Sequence, residues 1–133
     1  MTDSDIERET LLVFRTGDEY LIAHYFDQRD LFDDLREYYN DDTYRFEVPA
    51  GEFEAVRDRL RESYYEPHVV EDLEPYCVVK EQYTAHAAIL RNSVAHWERR
   101  GYNFFLMKDD LAVKEALELG ATKLAETELA LGL

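Results

Sequence analysis

The side chains best suited to chemistry crowd into one stretch, from Lys80 to Arg100. Lys80 supplies an ammonium, Tyr83 a phenol, and His86 an imidazole. Arg91 and Arg100 are fixed cations. Such a set suits an anionic ligand, or proton transfer by His86 to a substrate held by cations. Read as one helix, Gln82 to Arg100 carries a core stripe of Tyr83, Ala87, Leu90, Val94 and Trp97. His86 and Ser93 then flank that stripe two turns apart, about 10 Å along the axis, too far for a base and its nucleophile. Ser93 and His96 are closer, but they share one exposed helical surface. A histidine at the edge of a core with its hydrogen bonds satisfied explains His86 equally well. The expectation is a candidate binding group of Lys80, Tyr83, His86, Arg91 and Arg100, with the pocket between this helix and the sheet. No residue is assigned as catalytic.

Other chemistries lack their residues. There is no G-x-G-x-x-G turn, Walker loop, H-E-x-x-H, C-x-x-C or G-x-S-x-G. Five scattered glycines supply no phosphate cradle. His24, His68, His86 and His96 lie in four contexts, and a helix separates His86 from His96 by about 80° and about 15 Å. On that reading they share no metal, and zinc needs three or four convergent ligands. The pairs Asp33-Asp34 and Asp41-Asp42 lack the alternating acids, central glycine and terminal glutamate of a calcium loop. No metal and no cofactor is expected. Cys77 is the single cysteine, which excludes a disulfide scaffold.

Thirty acidic and 15 basic residues give a net charge of −15 on 133 residues, yet 46% of the chain is hydrophobic and 14% aromatic. That much apolar material builds a core, so the charge does not imply disorder. The bases comprise only four lysines against 11 arginines. An acid-rich, lysine-poor globular chain resembles the proteins of halophilic archaea as a class. At molar salt the Debye length is about 3 Å, so such a charge hardly repels itself. An ordinary acidic protein is the other reading. The absence of an apolar run of about 18 residues argues against a membrane span. The polar start, Met1 to Glu9, shows no signal peptide, and the expected location is cytoplasmic. Nucleic-acid binding is disfavoured, because duplexes require a dense basic footprint. The charge is nevertheless uneven: residues 1–75 carry a net −14 and residues 76–133 a net −1. If RNA or a nucleotide binds at all, the segment from Lys80 to Lys114 is the place.

The elements that must hold these residues are read from periodicity. Residues 1–9 read as a disordered acidic tail. Thr10 to Arg15 and Tyr20 to Phe26 form a hairpin around Gly17-Asp18, a type II′ turn that aligns Val13 with Ile22. Apolar residues on both its faces predict burial on both sides. Asp30 to Tyr39 reads as a helix capped by Asp27 or Asp30. Thr43 to Val48 reads as a strand with Tyr44, Phe46 and Val48 inward. A second helix carries Phe53, Val56, Leu60 and Tyr64, with Pro67 as its stop. His68 to Val70 and Tyr76 to Lys80 read as strands, and Phe104 to Met107 as a buried strand, with helix an alternative. The two helices end in similar segments, each closing on a tyrosine pair: Tyr38-Tyr39 and Tyr64-Tyr65. Those tyrosines either edge the core or form an aromatic rim. The last helix starts at Asp109 or Asp110 and runs toward Leu131. Val113, Leu117, Gly120, Leu124, Thr127 and Leu131 form its near-heptad seam.

These elements predict an α+β fold over residues 10–133 as a single domain: one mixed sheet with an N-terminal hairpin, about four helices packed on it, and a mainly helical C-terminal part. The expected function is that of a small cytoplasmic binding or regulatory protein without catalytic activity, working as a homodimer on a protein or small-molecule partner. The alternative is a small hydrolase or transferase acting on an anionic substrate through Lys80, His86 and Arg100.

Overall fold

The computed structural model describes residues 7–127, and the chain divides into two compact units, residues 1–71 and 72–133. The fold is α+β. Where the sequence predicts one mixed sheet, each unit has a sheet of its own.

In the first unit, β1 (Glu9–Thr16) and β2 (Glu19–Ile22) form the expected hairpin, with Thr16 opposite Glu19 and Phe14 opposite Leu21. Gly17 sits at φ +63, a conformation that costs glycine nothing at the first turn position. The expected tail over residues 1–9 lies mostly outside the described residues, but Glu9 is already in β1 and its N–H donates to the Tyr64 carbonyl at 2.9 Å. Helix α1 (Arg29–Leu35) is shorter than expected. Neither Asp27 nor Asp30 is its N-cap; Gln28 occupies that position without a side-chain cap bond. The chain then tightens through Arg36–Tyr38 into β3 (Tyr39–Asn40), which pairs with β4 (Arg45–Pro49). Tyr39 leaves the helix because its ring belongs to the sheet-side core, 5.0 Å from Phe46. Phe46 and Val48 point inward as predicted, but Tyr44 is 78% exposed in a left-handed turn.

Helix α2 (Phe53–Glu62) buries the stripe Phe53, Val56 and Leu60. The stripe ends there, since Tyr64 turns out at φ +70 and is exposed. Pro67 does not stop the helix; it lies within β5 (Tyr65–Val70), which pairs in parallel with β1. The sheet order β3-β4-β2-β1-β5 makes β5 an edge strand, where a missing N–H is tolerated. Leu11, Val13, Ile22, Phe46 and Val48 of the sheet pack with Leu31, Leu35, Val56 and Leu60 of the helices. Phe14 and Leu21, on the opposite face, are buried too, as the two-sided apolar pattern requires.

The second unit corrects the largest expectation. The segment Gln82 to Arg100 is not one helix. It is a loop, a short helix α3 (Ala87–Arg91), and a strand β7 (Ser93–Arg99). Strand β7 pairs antiparallel with β8 (Tyr102–Met107), which pairs with β6 (Cys77–Glu81). The loop between β7 and β8 is Arg100-Gly101, both at positive φ (53° and 82°), the signature of a type I′ hairpin turn. Gly101 is therefore a turn residue rather than a helix cap. Tyr83 of the expected core stripe is fully exposed, and Leu90 is 42% exposed.

Helix α4 (Asp110–Glu118) begins at the predicted cap: the Asp109 carboxylate accepts from the Ala112 N–H at 2.7 Å. Asp109→Ala should cost about 1 kcal/mol in urea unfolding, with the midpoint lowered and the slope unchanged. The helix stops far short of Leu131, which lies outside the described residues. Gly120 takes φ +99, and Ala121 leads into β9 (Thr122–Lys123), paired with β6. The near-heptad seam is thus not a continuous helical surface, and among the described residues this half holds a four-stranded antiparallel sheet, β7-β8-β6-β9, with two short α-helices rather than a mainly helical region. Val78, Phe105 and Met107 of the sheet pack with Ile89, Ala112, Val113 and Ala116 of the helices.

Candidate functional site

Alternation along the strands puts Val78 and Lys80, Asn103 and Phe105, and His96 and Glu98 on the helix-covered face of the second sheet. The apolar half of this face is core. Its polar half is the candidate site.

His86 immediately precedes α3 and His96 lies in β7, and their ring centroids are 5.9 Å apart. The helical reading kept these rings about 15 Å apart; the strand brings them together. Both pack on Phe105, with centroids at 4.9 Å for His96 and 5.7 Å for His86. The His86 Nδ1 lies 2.9 Å from the Thr84 carbonyl oxygen. A carbonyl only accepts, so Nδ1 carries the proton and the Nε2 of neutral His86 keeps its lone pair. His96 Nε2 lies 3.3 Å from Oδ1 of Asn103, a side chain 1% exposed. Among the described residues no group of three or more potential metal ligands converges.

Lys80 is committed to the backbone. Its Nζ donates to the Ala85 carbonyl at 2.5 Å and to the Leu119 carbonyl at 3.0 Å. It therefore ties the loop before α3 to the last turn of α4, where a cation complements the exposed helix carbonyls. Gly120 lies against this lysine at φ +99, which favours glycine, and a Cβ there would make ordinary van der Waals contact with Lys80 Cε at 3.7 Å. Lys80 and His86 are thereby brought to neighbouring positions. Tyr83, Arg91 and Arg100 are exposed, and no hydrogen bond, ion pair or ring contact joins them to the pair among the described residues.

Beside Lys80, where β6 runs on past its short partner β9, lies a cavity of about 500 Å³. Lys80, Glu81, Thr84, Tyr102, Thr122 and Thr127 supply its polar lining. Thr84 Oγ1 donates to the Glu81 carbonyl at 2.6 Å, which leaves its oxygen able to accept, and Thr127 Oγ1 donates to the Leu124 carbonyl at 2.8 Å. Sequence reasoning missed the threonines, because they line a cavity only once Gly120 has ended α4 and turned the chain back along β6.

The remaining candidates separate. Ser93 Oγ donates to the Leu90 carbonyl at 2.7 Å, so its proton is engaged away from any imidazole. Cys77 is fully buried, and burial first, then Glu74 and Asp72, push its thiol up to about 12. It stays a thiol and not a nucleophile. The four tyrosines form no common rim: Tyr38 and Tyr39 pack on the first core, Tyr64 is exposed, and Tyr65 is buried with its hydroxyl 3.3 Å from His24 Nε2. Burial, then Glu9 and Asp27, raise the Tyr65 phenol above its usual value. No helix among the described residues is long and apolar enough to cross a membrane. No family model matches the chain, and neither a curated protein nor a solved structure was found to be similar to it.

Proposed function

We propose that the chain is a small, non-catalytic binding or regulatory protein of a salt-rich cytoplasm, and that it takes a small polar ligand at the end of β6. The observation that carries this reading is the cavity of about 500 Å³ lined by one ammonium, one carboxylate and four hydroxyl groups. That size falls in the range of about 300–1,000 Å³ usual for small-molecule sites. Hydroxyls suit it to a salt-rich cell, because a neutral hydrogen bond is screened far less than a charge pair. The matching ligand is a hydroxylated or zwitterionic molecule. The −15 charge and the lysine-poor composition support the high-salt setting.

Native purification in about 3 M KCl, followed by extraction and mass spectrometry, tests the reading. One small polar molecule should be recovered per chain. Thr122→Trp, which fills the cavity from its rim, should abolish recovery while leaving the fold intact. If nothing is recovered, and sugars, amino acids and nucleotides leave the melting temperature unmoved, the reading fails.

A second reading rests on the free Nε2 of His86 beside His96. In that reading the chain is a hydrolase or transferase acting on an anionic substrate, and His86 is its base. His86→Gln would then abolish turnover, whereas under the first reading it leaves ligand recovery unchanged.

A further inference from the structure

A sheet must protect its edges, because an open edge presents unpaired N–H and C=O groups to any passing strand. Among the described residues the two sheets have four edges, and three of them are short or carry a proline. Strands β3 and β9 have two residues each. Strand β5 carries Pro67 at its centre. The fourth, β7 (Ser93–Arg99), has no proline; a bulge between Ser93 and Ala95 interrupts its pairing with β8, and Ala95–Arg99 beyond it run in regular register along the edge. His96, Glu98 and Arg99 along it are exposed.

The hairpin sets which backbone groups point outward. Its two-residue loop closes on the Arg99–Tyr102 pair, and hydrogen-bonded pairs alternate from there. Arg99, Trp97 and Ala95 therefore direct their N–H and C=O groups at β8. His96 and Glu98 direct theirs at the open edge.

We propose that β7 pairs antiparallel with β7 of a second copy of this chain, about a two-fold axis through Trp97, to make a continuous eight-stranded sheet. This rests on surfaces separate from the cavity and stands without the ligand reading. The strand is self-complementary in that register alone. His96 of each copy faces Glu98 of the other, an imidazole opposite a carboxylate, twice. Trp97 faces Trp97 in a non-hydrogen-bonded pair, where side chains come closest. Trp97 already stacks on Phe104 at 5.6 Å with the ring planes 9° apart. The dimer extends that stack into a row of four rings across the axis, Phe104–Trp97–Trp97–Phe104. Glu98 accepts one bond from Gln82 Nε2 at 3.2 Å, and its carboxylate has further lone pairs for the facing histidine. A shift by two residues would set Glu98 against Glu98 or His96 against His96, which loses both imidazole–carboxylate pairs. A closed two-fold pair also consumes the edge, so the assembly stops at two copies. The second copy's Glu98 faces His96 and so adds a second carboxylate to the candidate site beside this chain's own Glu98.

Light scattering on the full chain in about 3 M KCl should give twice the 15.7 kDa chain mass. Glu98→Lys replaces both imidazole–carboxylate pairs by imidazole–ammonium pairs and should weaken the dimer by about 10-fold. The double variant His96→Glu with Glu98→Lys puts a carboxylate opposite an ammonium in both pairs and should restore it. Trp97→Cys places two cysteines face to face on the axis and should give a disulfide-linked dimer under mild oxidation. Ala95→Cys faces Arg99 and should not. A monomeric wild type overturns the proposal. So does a dimer that survives Glu98→Lys and forms no crosslink through position 97.

Discussion

Raising KCl from about 0.1 to about 3 M is expected to raise the melting temperature by about 15 °C. The chain carries 30 carboxylates against 15 cations. The ion pairs that form are at or near the surface, such as Arg59 with Asp34 and Arg61 with Glu66, and surface pairs contribute at most about 1 kcal/mol each. Uncompensated repulsion therefore acts on the folded state in dilute buffer, and salt removes it as the Debye length falls from about 10 Å to about 3 Å or less. A gain of about 4 kcal/mol corresponds to the stated shift at this chain length. The effect should be larger in the first unit, because residues 1–71 hold 20 acids against 8 bases, a net −12. If calorimetry resolves two transitions, the salt-sensitive one belongs to residues 1–71. Replacing Asp33, Asp34, Asp41 and Asp42 together by Asn should raise the low-salt melting temperature and shrink the salt response. A melting temperature that stays flat across this range would remove the high-salt setting and return the chain to the ordinary acidic class.

The parts of the fold legible in the sequence are those where one physical signal acts alone. Gly17 between two β-rich runs has no helical interpretation, so the first hairpin and its register can be read directly. The pair Asp109-Asp110 ahead of an apolar-periodic stretch signals a cap at one or the other, and Asp109 takes it. The misreadings arise where two periods coincide. Tyr83, Ala87, Leu90, Val94 and Trp97 satisfy a helical stripe, while Ser93 to Arg99 also satisfies a strand. The strand prevails through partners distant in sequence: Trp97 pairs with Phe104 and Ala95 with Leu106, contacts that no local window contains. Arg100-Gly101 carried the deciding clue, since a glycine between two runs of similar length fits a hairpin turn as well as a helix end. Gly120 carried a similar one: placed inside a seam it weakens a helix, and placed after Leu119 it ends it. The site follows the same division. Lys80 and His86 were identifiable by residue type. The approach of His96, and the threonine lining of the cavity, depend on the strand and on the chain reversal at Gly120.

Phe105→Ala should be the most damaging single substitution in the second unit, costing about 3–5 kcal/mol. Phe105 is fully buried on the central strand β8, between Val78 of β6 and His96 of β7, beneath the helices of that core. Removing its ring opens a void that Ile89 and Met107 cannot close from fixed backbone positions, so the loss of contacts adds to the loss of burial. A natural domain has only about 5–15 kcal/mol in reserve, so urea unfolding should show a much lower midpoint. Phe105→Leu keeps most of the volume and should cost under about 2 kcal/mol. The same pair of variants reports on the site. Both imidazoles pack on the Phe105 ring, so their proton resonances should carry its ring-current shift in the wild type and lose it in Phe105→Leu, which stays folded. Two histidines that shift together would confirm that one aromatic ring organises both. If only the His96 resonances move, His86 does not rest on Phe105 in solution, and the enzyme reading loses the geometry it depends on. If Phe105→Ala costs less than about 1 kcal/mol, the sheet–helix core of the second unit is not packed around this ring.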